Sequence, residues 1–201
     1  MTRISFYLLN HADDVNVYAV SRRTGAVVRM VASHRHMRKG VRIPDGEFSW
    51  NGREDSGAVA PDGAYYFRVV LLSNGRKVNL SNTPVQIITT PPRPAVTSVS
   101  PSQTPGGSPV KIRFSGGAPS GASVLLYHVG RHGMPRLVQS FGTGNPAGAT
   151  WNGMVHGRPA PRGKYLVGLQ VTDQACNTGT FPAILPPTPR TTQVAEITVR
   201  P

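Results

Sequence analysis

The chain has 201 residues, enough for one large domain or two of about 100 residues each. Its 22 Gly and 19 Pro exclude a helical bundle or coiled coil, which so many helix breakers would disrupt. Lys and Arg number 22 against nine Asp and Glu, a formal charge of +13 that attracts polyanions without specificity, and the one cysteine, Cys176, excludes an intrachain disulfide or a cysteine-based structural zinc site.

Strand signals begin at once. Apolar runs and alternations predict strands at 4–9, 15–20, 26–32, 64–72, 76–80 and 84–88. They continue at 110–114, 122–129, 136–141, around 165–172, and at 193–199. The clearest, 64–72, puts Tyr65, Phe67, Val69 and Leu71 on one face and Tyr66, Arg68, Val70 and Leu72 on the other. Tyr165, Val167, Leu169 and Val171 keep the same register. No segment has a helical period. Short strands separated by Gly, Pro and Asn turns predict an antiparallel sandwich.

An internal repeat organises these elements. Trp50-Asn51-Gly52, Gly57 and Pro61-Asp62-Gly63-Ala64-Tyr65 return as Trp151-Asn152-Gly153, Gly157 and Pro161-Arg162-Gly163-Lys164-Tyr165. Upstream, Tyr18-Ala19-Val20 before Arg22-Arg23-Thr24-Gly25 matches Tyr127-His128-Val129 before Arg131-His132-Gly133. Downstream, Thr83-Pro84-Val85-Gln86-Ile87-Ile88 matches Thr192-Gln193-Val194-Ala195-Glu196-Ile197. Two tandem copies of one domain are expected, at 1–90 and 95–201, with the proline-rich segment 91–94 as linker.

The repeated residues read as fold support. Asn-Gly is a turn signal because both residues tolerate positive φ. Proline fixes φ in Pro61-Asp62-Gly63, and glycine takes the strained position. Each tyrosine is placed to bury its ring and return its hydroxyl to a backbone group, like a tyrosine corner. The competing reading makes Trp50 and Tyr65 a platform for stacking a sugar.

Trp-Asn-Gly, then Gly, then Pro-x-Gly-x-Tyr leading into an alternating strand resembles the immunoglobulin-like domain of the flagellar hook-capping protein family. Val171-Thr172-Asp173 with Asn177 resembles strand ends of bacterial immunoglobulin-like repeats. The resemblance is anchored on 50–72 and 151–172 and covers most of each copy. It implies a fold, all-β with two tandem immunoglobulin-like antiparallel β-sandwich domains. It also implies use as a spacer, scaffold or adhesion unit of a bacterial surface or secreted protein. A hook-capping protein carries a polar docking segment and one such domain, whereas this chain opens in a strand and has two, so flagellar assembly is not expected.

Chemistry is sought in what the copies do not share. Tyr18 and Trp50 stand about eight positions further apart than Tyr127 and Trp151. The excess falls in Ser33–Arg42, read as a loop, whose Arg35, Arg38, Lys39 and Arg42 form a candidate polyanion-binding site without an acid in the run. His34 and His36 share a strand face, but neighbouring cations repel a metal, so no metal site is expected. There is no Gly-x-Ser-x-Gly elbow, phosphate loop or His-Glu-x-x-His, and Cys176 has no nearby His to activate it. No catalytic residue and no cofactor are expected. Sequence-specific nucleic-acid binding is not expected either, since only Tyr66 and Arg68 interleave aromatic and basic character.

The apolar stretch Ile4–Leu9 is too short for a secretory signal, and no run reaches the length of a membrane span. Val199-Arg200-Pro201 stands where a third module could begin, and the chain is therefore expected to be an excised part of a longer protein. The expected function is a non-enzymatic structural, spacer or binding module of a larger bacterial surface-associated or secreted protein, extracellular or at the cell surface. Its expected partners are other domains of the same chain and an anionic polymer or cell-envelope component. Two alternatives stand beside it: an accessory module of an extracellular enzyme whose catalytic domain lies outside the chain, and a stand-alone, cytoplasmic polyanion-binding protein.

Overall fold

The computed structural model describes residues 1–42, 47–116, 122–130, 132–145, 147–187 and 195–201. These residues form strands and turns, and no helix occurs among them. The chain divides into two compact units, Met1–Thr89 and Thr90–Pro201.

The first unit has six strands: β1 (Thr2–Ser5), β2 (Asp13–Ser21), β3 (Val27–Met37), β4 (Glu47–Trp50), β5 (Gly63–Leu71) and β6 (Lys77–Ile87). β1 pairs antiparallel with β4. The others form an antiparallel sheet in the order β3-β2-β5-β6. Alternation fixes which face is dry. β2 buries Val15, Val17 and Ala19, and β5 buries Tyr65, Phe67 and Val69. They pack with Phe48 and Trp50 of β4 and Met37 of β3 into one apolar cluster.

The second unit has eleven strands: β7 (Ala95–Ser100), β8 (Gln103–Pro105), β9 (Val110–Ser115), β10 (Ser123–Val129), β11 (Pro135–Gly142), β12 (Gly148–Trp151), β13 (Met154–Val155), β14 (Arg158–Pro159), β15 (Gly163–Thr172), β16 (Thr178–Phe181) and β17 (Ala195–Arg200). One sheet runs β12-β9-β7 and the other β11-β10-β15-β17-β8, with β16 also on β15. β8 runs parallel to β17, while β7 is antiparallel to β9. The segment 95–105 therefore passes from one sheet to the other. Trp151, Tyr165, Ile112, Leu126, Leu169 and Ile197 are among the most deeply buried side chains of the core between them. On the reverse face of β10 and β15, Leu125, Tyr127 and Leu166 form a second cluster against Leu185.

Several predicted boundaries move. β1 ends at Ser5, so Phe6–Leu9 leave the strand read at 4–9, and Leu8 keeps one isolated bridge to Lys39. The strands read at 76–80 and 84–88 are one strand, β6, with an irregularity in its pairing. Thr192, Gln193 and Val194, in the matched block and the strand read at 193–199, lie outside the described residues, as does Arg131. Strands such as Ala95–Ser100 and Thr178–Phe181 were not read, because their small and polar residues carry little alternation and are strands through pairing alone. Pro92–Pro94 lie against Gly116 and Gly179, where an added Cβ would meet their backbone.

Strand register also corrects the alignment of the copies. Ser21 stands opposite Tyr65, and His128 opposite Tyr165. Val20, not Tyr18, therefore corresponds to Tyr127, and part of the apparent excess in the first copy is a two-residue misalignment. A shift of two preserves strand alternation, which is why sequence matching accepts it. Val85 pairs with Tyr65 and Ile197 with Tyr165, so the downstream blocks are offset too. Register adds a match that sequence reading missed. Thr2 pairs with Trp50 and Val110 with Trp151, which aligns Thr2-Arg3-Ile4-Ser5-Phe6 with Val110-Lys111-Ile112-Arg113-Phe114.

Candidate functional site

The repeated motif builds the same hydrogen-bonded frame in each unit. Trp50 Nε1 donates to the Arg53 carbonyl at 2.7 Å, and Trp151 Nε1 to the Met154 carbonyl at 2.9 Å. Asn51 Oδ1 accepts from the Arg53 amide at 3.1 Å, and Asn152 Oδ1 from the Met154 amide at 3.0 Å. Gly52 and Gly153 take φ of 77° and 74°, the left-handed region that admits glycine cheaply. Tyr65 Oη donates to the Pro61 carbonyl at 2.6 Å and Tyr165 Oη to the Pro161 carbonyl at 2.8 Å, the predicted corner. The rings meet, Trp50 with Tyr65 at 5.2 Å and Trp151 with Tyr165 at 5.4 Å between centroids. Exposures of 3% for Trp50 and 1% for Trp151 leave no ring face for a sugar. Burial pushes the Tyr65 and Tyr165 hydroxyls above the usual phenol range.

The basic run is placed differently from its reading as a loop. Ser33–Met37 belong to β3, an edge strand, and Met37 is fully buried. Pairing with β2 shifts between Val15 and Val17, and there His34 turns to a φ of 48° while its amide donates to Asn16 Oδ1 at 2.8 Å. This bulge takes His34 out of strand geometry. His36 Nδ1 stands 2.8 Å from Asp14 Oδ1 of β2, so the run meets across the ladder an acid its own sequence lacks. Arg35 lies in the strand, Arg38 and Lys39 in the bend that follows, and all three are exposed. Arg42 reaches β1, where its Nε donates to Ser5 Oγ at 3.0 Å. The four cations are thus strung along an edge and around a bend. Cations on an edge strand also discourage edge-to-edge pairing.

Arg42 opens onto a recess of the first unit. A cavity of about 380 Å³ lies between β1 and β6. Ile4, Phe67 and Leu80 line it with apolar surface, and Ser5, Arg42 and Thr83 with polar groups. Apolar walls with a few convergent polar groups are the usual make-up of a binding recess. Sequence reading found Arg42 and missed the recess, because its walls come from strands far apart in the chain.

The outer face of β2 and β5 carries a second polar arrangement. Arg68 Nη2 donates to Tyr66 Oη at 2.7 Å, and Arg68 Nε to Asn79 Oδ1 at 2.9 Å. Asn16 Nδ2 donates to Tyr18 Oη at 3.1 Å. The alternation in 64–72 had already set Tyr66 and Arg68 on this face.

Elsewhere, polar groups support turns. Asp13 is buried and accepts from the Ser73 hydroxyl and, at 3.1 Å, from the Ser73 amide. The Ser73 hydroxyl is the main reason that its carboxyl is held below the usual range. Cys176 is exposed in a turn at a φ of 66°. Among the described residues, no three of His, Cys, Asp and Glu gather closely enough to hold a metal, and no helix is long and apolar enough to cross a membrane. No protein-family model matches the chain, and no curated protein matches it.

Proposed function

We propose that the chain is a pair of immunoglobulin-like sandwiches acting as a non-enzymatic spacer or binding module of a larger bacterial surface-associated or secreted protein. The immunoglobulin-like reading is supported in the second unit by a first segment that leaves one sheet for the other and runs parallel to the last strand. Both units add a tyrosine whose hydroxyl returns to a carbonyl four residues upstream. One observation carries the functional reading: both units devote the same Trp, Asn, Gly and Tyr to internal bonds, while their exposed residues differ. A common frame with divergent surfaces is the economy of a tandem module.

The test is an immunoblot of fractionated source cells with an antibody against this chain. A band well above 21.5 kDa in the envelope or medium is the expected result. A catalytic domain in that larger protein would make the chain an accessory module of an enzyme. A 21.5-kDa cytosolic band would overturn the reading and leave the stand-alone polyanion binder.

A further inference from the structure

The two units match in their main strands, with the isolated Arg53–Val59 bridge standing where β13 pairs with β14, and differ at one further place. β1, β2, β3, β4 and β5 correspond to β9, β10, β11, β12 and β15, and the two halves of β6 correspond to β16 and β17. β7 and β8 have no counterpart among the described residues of the first unit. In the second unit β7 covers the outer edge of β9, and β8 covers the outer edge of β17. In the first unit the equivalent edges, those of β1 and β6, pair with no further strand among the described residues.

The side chains register the difference. Ile112 and Phe114 of β9 and Ile197 and Val199 of β17 are buried, with Val96 and Val99 of β7 packed on the same cluster. Their equivalents in the first unit, Ile4, Phe6, Val85 and Ile87, pack against the core but stay part-exposed. The cavity of about 380 Å³ opens between the same two strands, β1 and β6. The buried core residue Phe67 lines its base. Two unpaired strand edges beside half-covered apolar residues form an acceptor for an added strand.

We infer that this groove is the seat of an extended peptide strand that pairs antiparallel with β1, crosses the cavity and continues parallel to β6. A segment such as Ala95–Ser100, whose Val96 and Val99 face the core on either side of a register shift, suits the apolar walls. Its source is the same polypeptide, on the N-terminal side of β1, as β7 and β8 precede β9 in the second unit. This source rests on the reading of the chain as part of a larger protein; the groove itself does not. Arg42, bonded to Ser5 at the rim, is placed to meet a carboxylate or carbonyl of the incoming strand.

The test fuses residues 94–109 directly ahead of Thr2, which reproduces their spacing to Val110, in a full chain carrying Trp151→Phe so that Trp50 reports the first unit. The expected result is slower amide exchange along β1 and the 85–87 end of β6, with the Trp50 melting transition raised by about 5 °C or more. A fusion carrying Val96→Asp and Val99→Asp in the added copy is expected to lose both effects. Unchanged exchange and melting in the first fusion, or equal effects from the Asp version, overturns the groove as a strand acceptor whatever the immunoblot shows. The same peptide added free and protecting β1 and β6 as fully as the fused copy would overturn the same-chain source and assign it to a partner chain. Intact-mass measurement of the native protein giving Met1 as its first residue would overturn that source too.

Discussion

The hydroxyl of Tyr165 donates to the carbonyl of Pro161 at 2.8 Å, closing the turn that launches β15. Tyr65 and Pro61 repeat the bond at 2.6 Å. Tyr165→Phe removes the donor and leaves a carbonyl short of its partner, which costs about 1–3 kcal/mol. The two tryptophans lie in separate units, so fluorescence of single-tryptophan backgrounds reads each unit by itself. Denaturant midpoints are expected to fall for the second unit with Tyr165→Phe and for the first with Tyr65→Phe.

The same burial predicts an alkaline limit. Tyr165 and Tyr127 are raised above the ordinary phenol value of 10.0 by desolvation, and Tyr65 mainly so. As pH rises past 10, the unfolded chain loses these protons first, so the folded state binds more and stability falls with pH. Below that value they add no slope. Unfolding measured from pH 8 to 11 is expected to be flat and then to decline. A combined Tyr127→Phe and Tyr165→Phe variant is expected to show a shallower decline in the second unit.

Asp13 sets the opposite limit. The Ser73 hydroxyl bond, with help from backbone amides, holds its carboxyl below 3.8. The unfolded chain takes up the proton first as pH falls, so the contribution present above about pH 4 is lost through the folded value. Asp13→Asn is expected to flatten the acid side of the first unit's stability curve, and Ser73→Ala to flatten part of it. An acid slope identical to the parent's in Asp13→Asn would count against this account.

Gly63 and Gly163 occupy matched positions with φ of 152° and 149°. A Cβ at Gly63 meets nothing, whereas one at Gly163 lands 2.5 Å from His128 Nε2, a buried nitrogen with no hydrogen-bond partner among the described residues. Gly63→Ala is expected to cost about 1–3 kcal/mol from backbone strain. Gly163→Ala is expected to cost more, and His128→Ala to recover part of the excess. A thermal melt of the double variant measures that coupling.

The cations at Arg35 and Lys39 are exposed along an edge. On a sulfated-polymer column, Arg35→Ala with Lys39→Ala is expected to elute at lower salt than Arg158→Ala with Arg162→Ala, a pair of equal charge on the other unit. Equal shifts would assign retention to total charge rather than to this edge.

The sequence by itself determined the all-β class, the repeated Trp-Asn-Gly and Pro-x-Gly-x-Tyr frame, and the buried face of β5. These are local properties: turn residues set φ, and alternation along one strand sorts its faces. Only the tertiary structure decided which residues of the two copies truly correspond, because strand periodicity is unchanged by a slip of two. The acid across from His36, the bulge at His34 and the seat of Arg42 on Ser5 likewise depend on partners 22, 18 and 37 positions away. The groove between β1 and β6 was the least legible feature, since it is defined by strand edges that no single segment contains. Local sequence fixes how a strand presents its faces, and pairing across the chain decides which edges are covered and which are left to receive another strand.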